Sequence, residues 1–429
     1  MTIMFNNFRY VDGCRLCAST DLENVLSLRP SPLGDQYLPI GGSAKLANLI
    51  PFGISRCNSC SNFQTETVVD REHYRHCLTR PAAVNKVLSK SYRDSIPRLI
   101  EMVDLRPEDL VVEVGSNDGN LASAFVEMGF RCLGVDPALN LVASAEKRGV
   151  PTLVEFFDLR LSHEIINKHG KAKVVIANFI VANVDDLDDF MAGVAEVLAS
   201  DGVFSIETNY VADIVSDLLV ETLVHEHLSY FSVVALTSFL DRHGLELFEV
   251  QRMPSKGGSI RCLIQHKGAK FKVSQSVADA KDFELSSGLF LSSSWGKLSS
   301  AFAHARASAI KFCEQRVKDG IIGYGTSDGA TIFIYQLGIG EYLKALIDDD
   351  PYRQNLESPG FGIPTVSREE IFTSSPKAKT CLIFAPQYVR QIIEKNSVAR
   401  DLGVAFAKVW PQVEVLKNIE SDAGGSWRK

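Results

Sequence analysis

From residue 110 onward, short apolar runs alternate with amphipathic stretches. LVVEV, RCLGV, TLVEFF, KVVIANF and GVFSIET are too short for buried helices and rich in β-branched residues, which predicts strands covered on both faces. Residues 120–128 and 188–198 carry the helical spacing between them. Strands alternating with helices define an α/β sheet of mostly parallel order. Beyond Leu228 a helix is followed by LELFEVQRM and SIRCLIQHK, with Pro254 and Gly257-Gly258 between them. Two such runs around a glycine turn predict an antiparallel hairpin at the sheet edge.

After His266 a polar, serine-rich stretch leads to residues 295–317, where Leu298, Phe302, Ala305, Ala309, Cys313 and Val317 fall on one helical face. Residues 321–340 again read as strand, glycine turn and helix, and CLIFAP as one more strand. This is a second Rossmann-like unit, whose glycine turn suits a ligand site or a packing turn equally well. At 429 residues and roughly 150 residues per domain, about three domains are expected. The expected boundaries are 1–75, 76–267 and 268–429.

The first of these lacks the α/β pattern and carries four of the nine cysteines, as Cys14-Arg-Leu-Cys17 and Cys57-Asn-Ser-Cys60. Two C-x-x-C knuckles turn four thiolates together and close a tetrahedral zinc site, leaving no position for substrate. The 39 residues between the knuckles exceed the usual ribbon spacing of roughly 15–20, so zinc here staples a module with a sizeable insert, SPLGDQYLP at its middle. An odd cysteine count suits metal ligands and buried thiols in a reducing compartment better than disulfides. The net charge of −7 gives no reason to expect nucleic acid or an anionic membrane as partner. No apolar run has the length of a membrane span, and MTIMFNNFRY does not look like a signal peptide. These features predict a cytoplasmic protein; its oligomeric state is left open.

The run VVEVGSNDG at residues 111–119, with Asp136 closing the next strand, carries the most chemistry. A strand entering a glycine turn at a helix N-terminus brings backbone N–H groups to a ligand, and the acidic side chain can hold two ribose hydroxyls. Gly115 and Gly119 stand four apart with Ser116, Asn117 and Asp118 between them, whereas wrapping a pyrophosphate calls for G-x-G-x-x-G. Those polar side chains suit the amino acid tail of S-adenosylmethionine, and Asn178 closes the strand two places on in the pattern.

Taken together, the two knuckles, Pro32-Leu33, residues 113–119, Gly134-Val135-Asp136-Pro137, His225-Glu226-His227-Leu228-Ser229-Tyr230-Phe231, residues 257–261 and Gly323-Tyr324-Gly325 resemble the nucleotide-sugar C-methyltransferases. The resemblance spans nearly the whole chain. It implies a zinc-binding N-terminal module, a central class I methyltransferase domain and a C-terminal Rossmann-like domain, with a sugar nucleotide as the small-molecule acceptor. Cofactor contacts are expected at Glu113, Gly115, Asn117, Asp118, Gly119, Asp136, Phe156 and Asn178, substrate contacts at Ser259 and Arg261, and zinc at Cys14, Cys17, Cys57 and Cys60. The matching HEH segment supplies the base, with His227 favoured, Glu226 as orienting or acidic partner, and His225 and Tyr230 beside them. A base is needed because carbon next to a ketone is nucleophilic only after proton removal and stabilisation of the enolate oxygen. Read without the family, His225 and His227 share one face of a strand, and such histidines are commonly surface or hydrogen-bonded core residues.

The chain departs from the family around this chemistry. Val224 stands where tyrosine usually precedes HEH, Asn183 where a histidine is usual, His73-Tyr74-Arg75-His76-Cys77 in an altered tyrosine- and serine-rich segment, and Asp328 where a basic residue is common. The cofactor half is kept and the substrate half rewritten. The leading expectation is methylation of an enolisable carbon, in a keto-sugar nucleotide. The alternatives are internal displacement within S-adenosylmethionine, giving a small-ring amino acid and methylthioadenosine, and a noncatalytic cofactor-binding scaffold.

Overall fold

The computed structural model describes residues 8–42, 44–76, 79–373 and 378–416. The chain divides into two compact units, Met1–Ser27 with Gly53–Gly296, and Leu28–Phe52 with Lys297–Lys429.

The first unit is built on a seven-stranded sheet in the order Leu245–Met253, Ser259–His266, Leu198–Asn209, Ala172–Asn178, Leu110–Val114, Arg131–Val135, Thr152–Leu153. The last five run parallel, and the hairpin joins antiparallel through Ser259–His266. All five residues of Leu110–Val114 are buried, as its unbroken apolar run requires of a strand covered on both faces. TLVEFF yields only Thr152–Leu153, because its neighbour offers just Gly134 and Val135 for pairing. Across one face lies the helix Lys86–Val103, whose Tyr92, Ile96 and Leu99 pack with Val111, Val174 and Val203. Side-chain caps start three further helices: Asp158 accepts from Leu161 N, Asp186 from Asp189 N and Ser232 from Ala235 N, each filling a backbone donor the helix leaves open.

The second unit has a six-stranded sheet, Thr365–Val366, Leu343–Ile347, Ile321–Tyr324, Thr380–Ile383, Ala405–Lys408, Glu414–Val415. Its first five strands are parallel. Strand Leu38–Pro39, from between the cysteine knuckles, pairs antiparallel with Leu356–Glu357. The same segment places Asp35 against the buried Arg353, and Thr331 donates to Gly34 O at 2.9 Å. Gly34 is required there, since a Cβ would lie 2.5 Å from Asp328 Cα. Five residues of the expected face on helix Ser292–Arg316 are buried. Val317 is not: it is 41% exposed, because the helix ends at Arg316 and a tight turn, Val317–Asp319, follows. Among the described residues, no helix is long and apolar enough to cross a membrane.

Candidate active site and zinc centre

The two knuckles fold alike. Ala18 N donates to Cys14 O at 2.8 Å and Ser61 N to Cys57 O at 2.9 Å, and the residue after each pair is left-handed, with φ of 59° at Ala18 and 64° at Ser61. Cys14 and Cys60 lie 3.5 Å apart at sulfur, as do Cys17 and Cys57, and all four sulfurs fall within 4.8 Å of one another. Tetrahedral zinc with bonds of about 2.3 Å spaces its thiolates about 3.8 Å apart, so these side chains fit the ion.

At the C-terminal edge of the large sheet, the turn after Leu110–Val114 alternates hand: φ is 74° at Gly115, 54° at Asn117 and 73° at Gly119. Asp136 braces it. One carboxylate oxygen accepts from Asn117 N at 2.8 Å and the other from Ala138 N at 2.9 Å, and burial pushes its pKa up. Glu113 is buried, accepts from Ala122 N at 2.9 Å, and is held well above the usual carboxylate range by desolvation. Asn117 accepts from Ala82 N at 2.7 Å and donates to Arg80 O at 3.2 Å, tying the turn to the segment just before helix Lys86–Val103. Asp118 is buried and pairs with Arg148 at 3.2 Å. A Cβ on Gly115 would strike Ile180 Cγ1 at 2.1 Å; packing, as well as the hand of the turn, requires this glycine. Substitution there disturbs the core, so it is an impure test of ligand binding.

Six of the eight expected cofactor residues, Glu113, Gly115, Asn117, Asp118, Gly119 and Asp136, thus converge on this turn and the strand end beside it. Phe156 follows the short edge strand, its ring faced by Arg71 at 4.7 Å and Arg75 at 5.0 Å. Asn178 ends its own strand, and its buried Oδ1 has no hydrogen-bond partner among the described residues. A buried, unfilled acceptor at the C-terminal edge of a parallel sheet is where a ligand of this fold is held. The residues fit an adenosyl amino acid.

The HEH segment is a turn rather than the strand expected from its residues, closed by His227 N donating to Val224 O at 3.2 Å. Alternating histidines do not make a strand here, because Val220–Thr222 forms a tight helical turn immediately before them and strand pairing begins only at Ser229–Tyr230. His227 Nδ1 lies 2.7 Å from Thr222 O and 3.3 Å from Asn209 Nδ2. Burial, then the charge of Lys256, lowers its pKa to about 4. His225 and Glu226 are buried, and Glu226 O accepts from Tyr74 at 3.2 Å. Tyr230 is buried and donates to Val224 O at 3.3 Å. Ser259 donates to Glu207 Oε1 at 3.2 Å, and Arg261 pairs with Glu207 Oε2 at 2.7 Å. Arg261 also lines a cavity of about 420 Å³ with Ser91, Arg98, Gln251, Met253 and Leu263. Of the altered positions, Val224 is buried, Asn183 ends the turn Val181–Asn183, and the side chain of His76 with Cys77 lies outside the described residues. Sequence reasoning passed over Asn209, Thr222 and Lys256. Asn209 was legible as the last residue of a parallel strand, the edge at which such sheets bind ligands.

A glycine turn braced by a strand-end aspartate, on a seven-stranded sheet ending in an antiparallel hairpin, defines an S-adenosylmethionine-dependent methyltransferase. Family models agree: a zinc binding domain matches residues 14–74, a methyltransferase domain 84–250 and a C-methyltransferase C-terminal domain 254–411. The C-methyltransferase NovU of Streptomyces niveus is 28% identical over 415 residues, covering 95% of this chain and 97% of that protein. The chain thus carries, in order, the three domains of a zinc-binding methyltransferase that uses S-adenosylmethionine, and it is similar to a C-methyltransferase along nearly its whole length. Among solved structures, an S-adenosylmethionine-dependent methyltransferase of Clostridium acetobutylicum aligns over 42% of this chain and 92% of its own, at 15% identity and TM-score 0.34. Magnesium protoporphyrin IX methyltransferase of Synechocystis aligns over 46% and 94%, at 14% identity and TM-score 0.34.

Asp136→Ala removes a charge-assisted acceptor and is expected to weaken adenosylhomocysteine binding by about 1.5–3 kcal/mol. Calorimetric titration checks this, with unfolding curves to confirm that the turn survives loss of its brace. Unchanged affinity in the folded variant places the ribose elsewhere.

Proposed function

We propose that this C-methyltransferase acts on the enolisable carbon beside the ketone of a keto-sugar nucleotide. The supporting observation is the setting of His227. A carbonyl oxygen can only accept, so the 2.7 Å contact with Thr222 O puts the proton on Nδ1 and leaves the Nε2 lone pair free. Its low pKa keeps that nitrogen unprotonated at neutral pH. S-adenosylmethionine, when bound, supplies the electrophilic methyl group. His227 takes the proton from carbon at Nε2, the C–H electron pair passing into the enolate, and Glu226 orients or protonates within the same turn. His225 and Tyr230 flank this base, and Ser259 and Arg261 contact the substrate from the hairpin. The name of NovU and the match to a C-methyltransferase C-terminal domain favour carbon as the methylated atom.

One observation favours a second reading. Val224, buried and aliphatic, offers an enolate oxygen nothing, whereas internal displacement within S-adenosylmethionine needs a base and no enolate donor. Product analysis separates the two. Methyl transfer yields adenosylhomocysteine only when a keto-sugar nucleotide is present; methylthioadenosine formed without acceptor overturns the first reading in favour of cyclisation. Mass spectrometry against a panel of keto-sugar nucleotides, with no-acceptor controls, is the measurement.

A further inference from the structure

A proton on Nδ1 of His227 constrains the neighbouring side chain of Asn209. With the proton on Nδ1, the Asn209 amide nitrogen at 3.3 Å would set two donors against each other. The oxygen and nitrogen of a carboxamide are nearly isosteric, and their placement follows from the hydrogen-bond network. On the far side of the amide, Asn209 Oδ1 is buried and finds no partner among the described residues, so nothing there opposes the exchange. The choice is decided at the imidazole.

We propose that Asn209 is a positioning residue for the base: its carboxamide oxygen faces Nδ1–H of His227 and, with Thr222 O, fixes the tautomer whose Nε2 receives the substrate proton. The bond to Thr222 is the short arm of a three-centre hydrogen bond and that to Asn209 the long arm. Two acceptors on one N–H also stabilise the imidazolium formed after proton transfer, which the low dielectric around it and the charge of Lys256 would otherwise disfavour. Placement supports the role. Asn209 is the last residue of strand Leu198–Asn209, held in register opposite Ser259, so its backbone is fixed by the sheet while His227 sits on a turn. The proposal rests on the reading of His227 as the base.

An acceptor role and a donor role make opposite predictions for two nearly isosteric variants. Asn209→Asp keeps an acceptor and removes the donor; Asn209→Leu removes both. Lys256, whose charge acts on the imidazole, and Tyr230, whose ring lies 6.4 Å from it, remain in both variants, as does the adjacent Glu226. With His ¹⁵N labelling of the full zinc-loaded chain and no acceptor present, the His227 resonance is expected to report the Nδ1–H tautomer at neutral pH. Its midpoint should rise in Asn209→Asp, because a carboxylate beside the ring favours the imidazolium. In turnover, Asn209→Leu should lose about tenfold to a hundredfold in kcat with KM little changed, the worth of a hydrogen bond to a charged group, and Asn209→Asp should restore most of it. An Nε2–H tautomer in the unsubstituted protein overturns the proposal, as does Asn209→Asp behaving like Asn209→Leu. If Asn209→Leu does not fold, the tautomer and the Asn209→Asp midpoint still decide. The resonance measurements need no substrate: the expected tautomer and midpoint shift in a protein that turns over no keto-sugar nucleotide would refute the proposed acceptor and leave this assignment standing.

Discussion

His227→Ala is expected to lower turnover by about 10²–10⁴-fold, the usual contribution of a positioned general base, while leaving adenosylhomocysteine affinity nearly intact. The ring stands at the HEH turn, and none of its described hydrogen bonds reaches the glycine turn: its partners are Thr222 and Asn209. Binding and turnover must be measured on the same folded variant. Near-normal turnover moves the base to His225, Tyr230 or the His76 segment. The unsubstituted enzyme should also show where the base titrates. Because burial and Lys256 depress the imidazole to about 4, kcat/KM should stay level as pH falls through 6.5, the ordinary histidine value, and decline only as the ring becomes protonated close to its own low pKa. An acid limb at the ordinary value assigns the proton to another group.

Loss of zinc should be as severe. Structural zinc sites contribute about 10–16 kcal/mol in small peptides near neutral pH, and here the second knuckle begins at the last residue of strand Ile50–Cys57, so the ion ties a strand end of the module to the first knuckle. We expect one zinc per chain, and Cys57→Ser or prolonged chelation should unfold the module, seen as protease cleavage confined first to residues near the knuckles. Freshly purified, reduced protein that is folded and carries no zinc would rule the centre out.

The elements set by short-range pattern were legible in the sequence: the buried parallel strands, the edge hairpin, both glycine turns and the four converging thiolates. Their physics is local, since an apolar run, a positive-φ glycine or a C-x-x-C spacing constrains its own few residues. The HEH turn was not legible. Alternation of histidines implies a strand only if a partner strand is available, and here pairing starts at Ser229. Val317 carried the right period but fell beyond the helix end. The partners of His227 were hidden for another reason: Thr222 reaches it through a backbone carbonyl five residues back, while Asn209 and Lys256 act on it from other stretches, and no spacing in the chain records that encounter. Arg261 illustrates the same gap, its buried pairing with Glu207 being set by strand register alone.

The segment Leu28–Phe52 belongs to the second compact unit, yet it is threaded between the two cysteine knuckles of the first. A dissection at the boundary after Gly296 therefore cannot yield the C-terminal unit as an autonomous fragment: it would lack strand Leu38–Pro39, the Asp35 partner of Arg353 and the Gly34 carbonyl that Thr331 needs. The knuckles bound this segment on either side, so the bound ion closes the loop that delivers it. When the ion is lost, the conformational entropy of that loop rises and the cost of seating it rises with it, which makes the metal at the front of the chain a stabiliser of a domain whose remaining residues begin almost three hundred positions later.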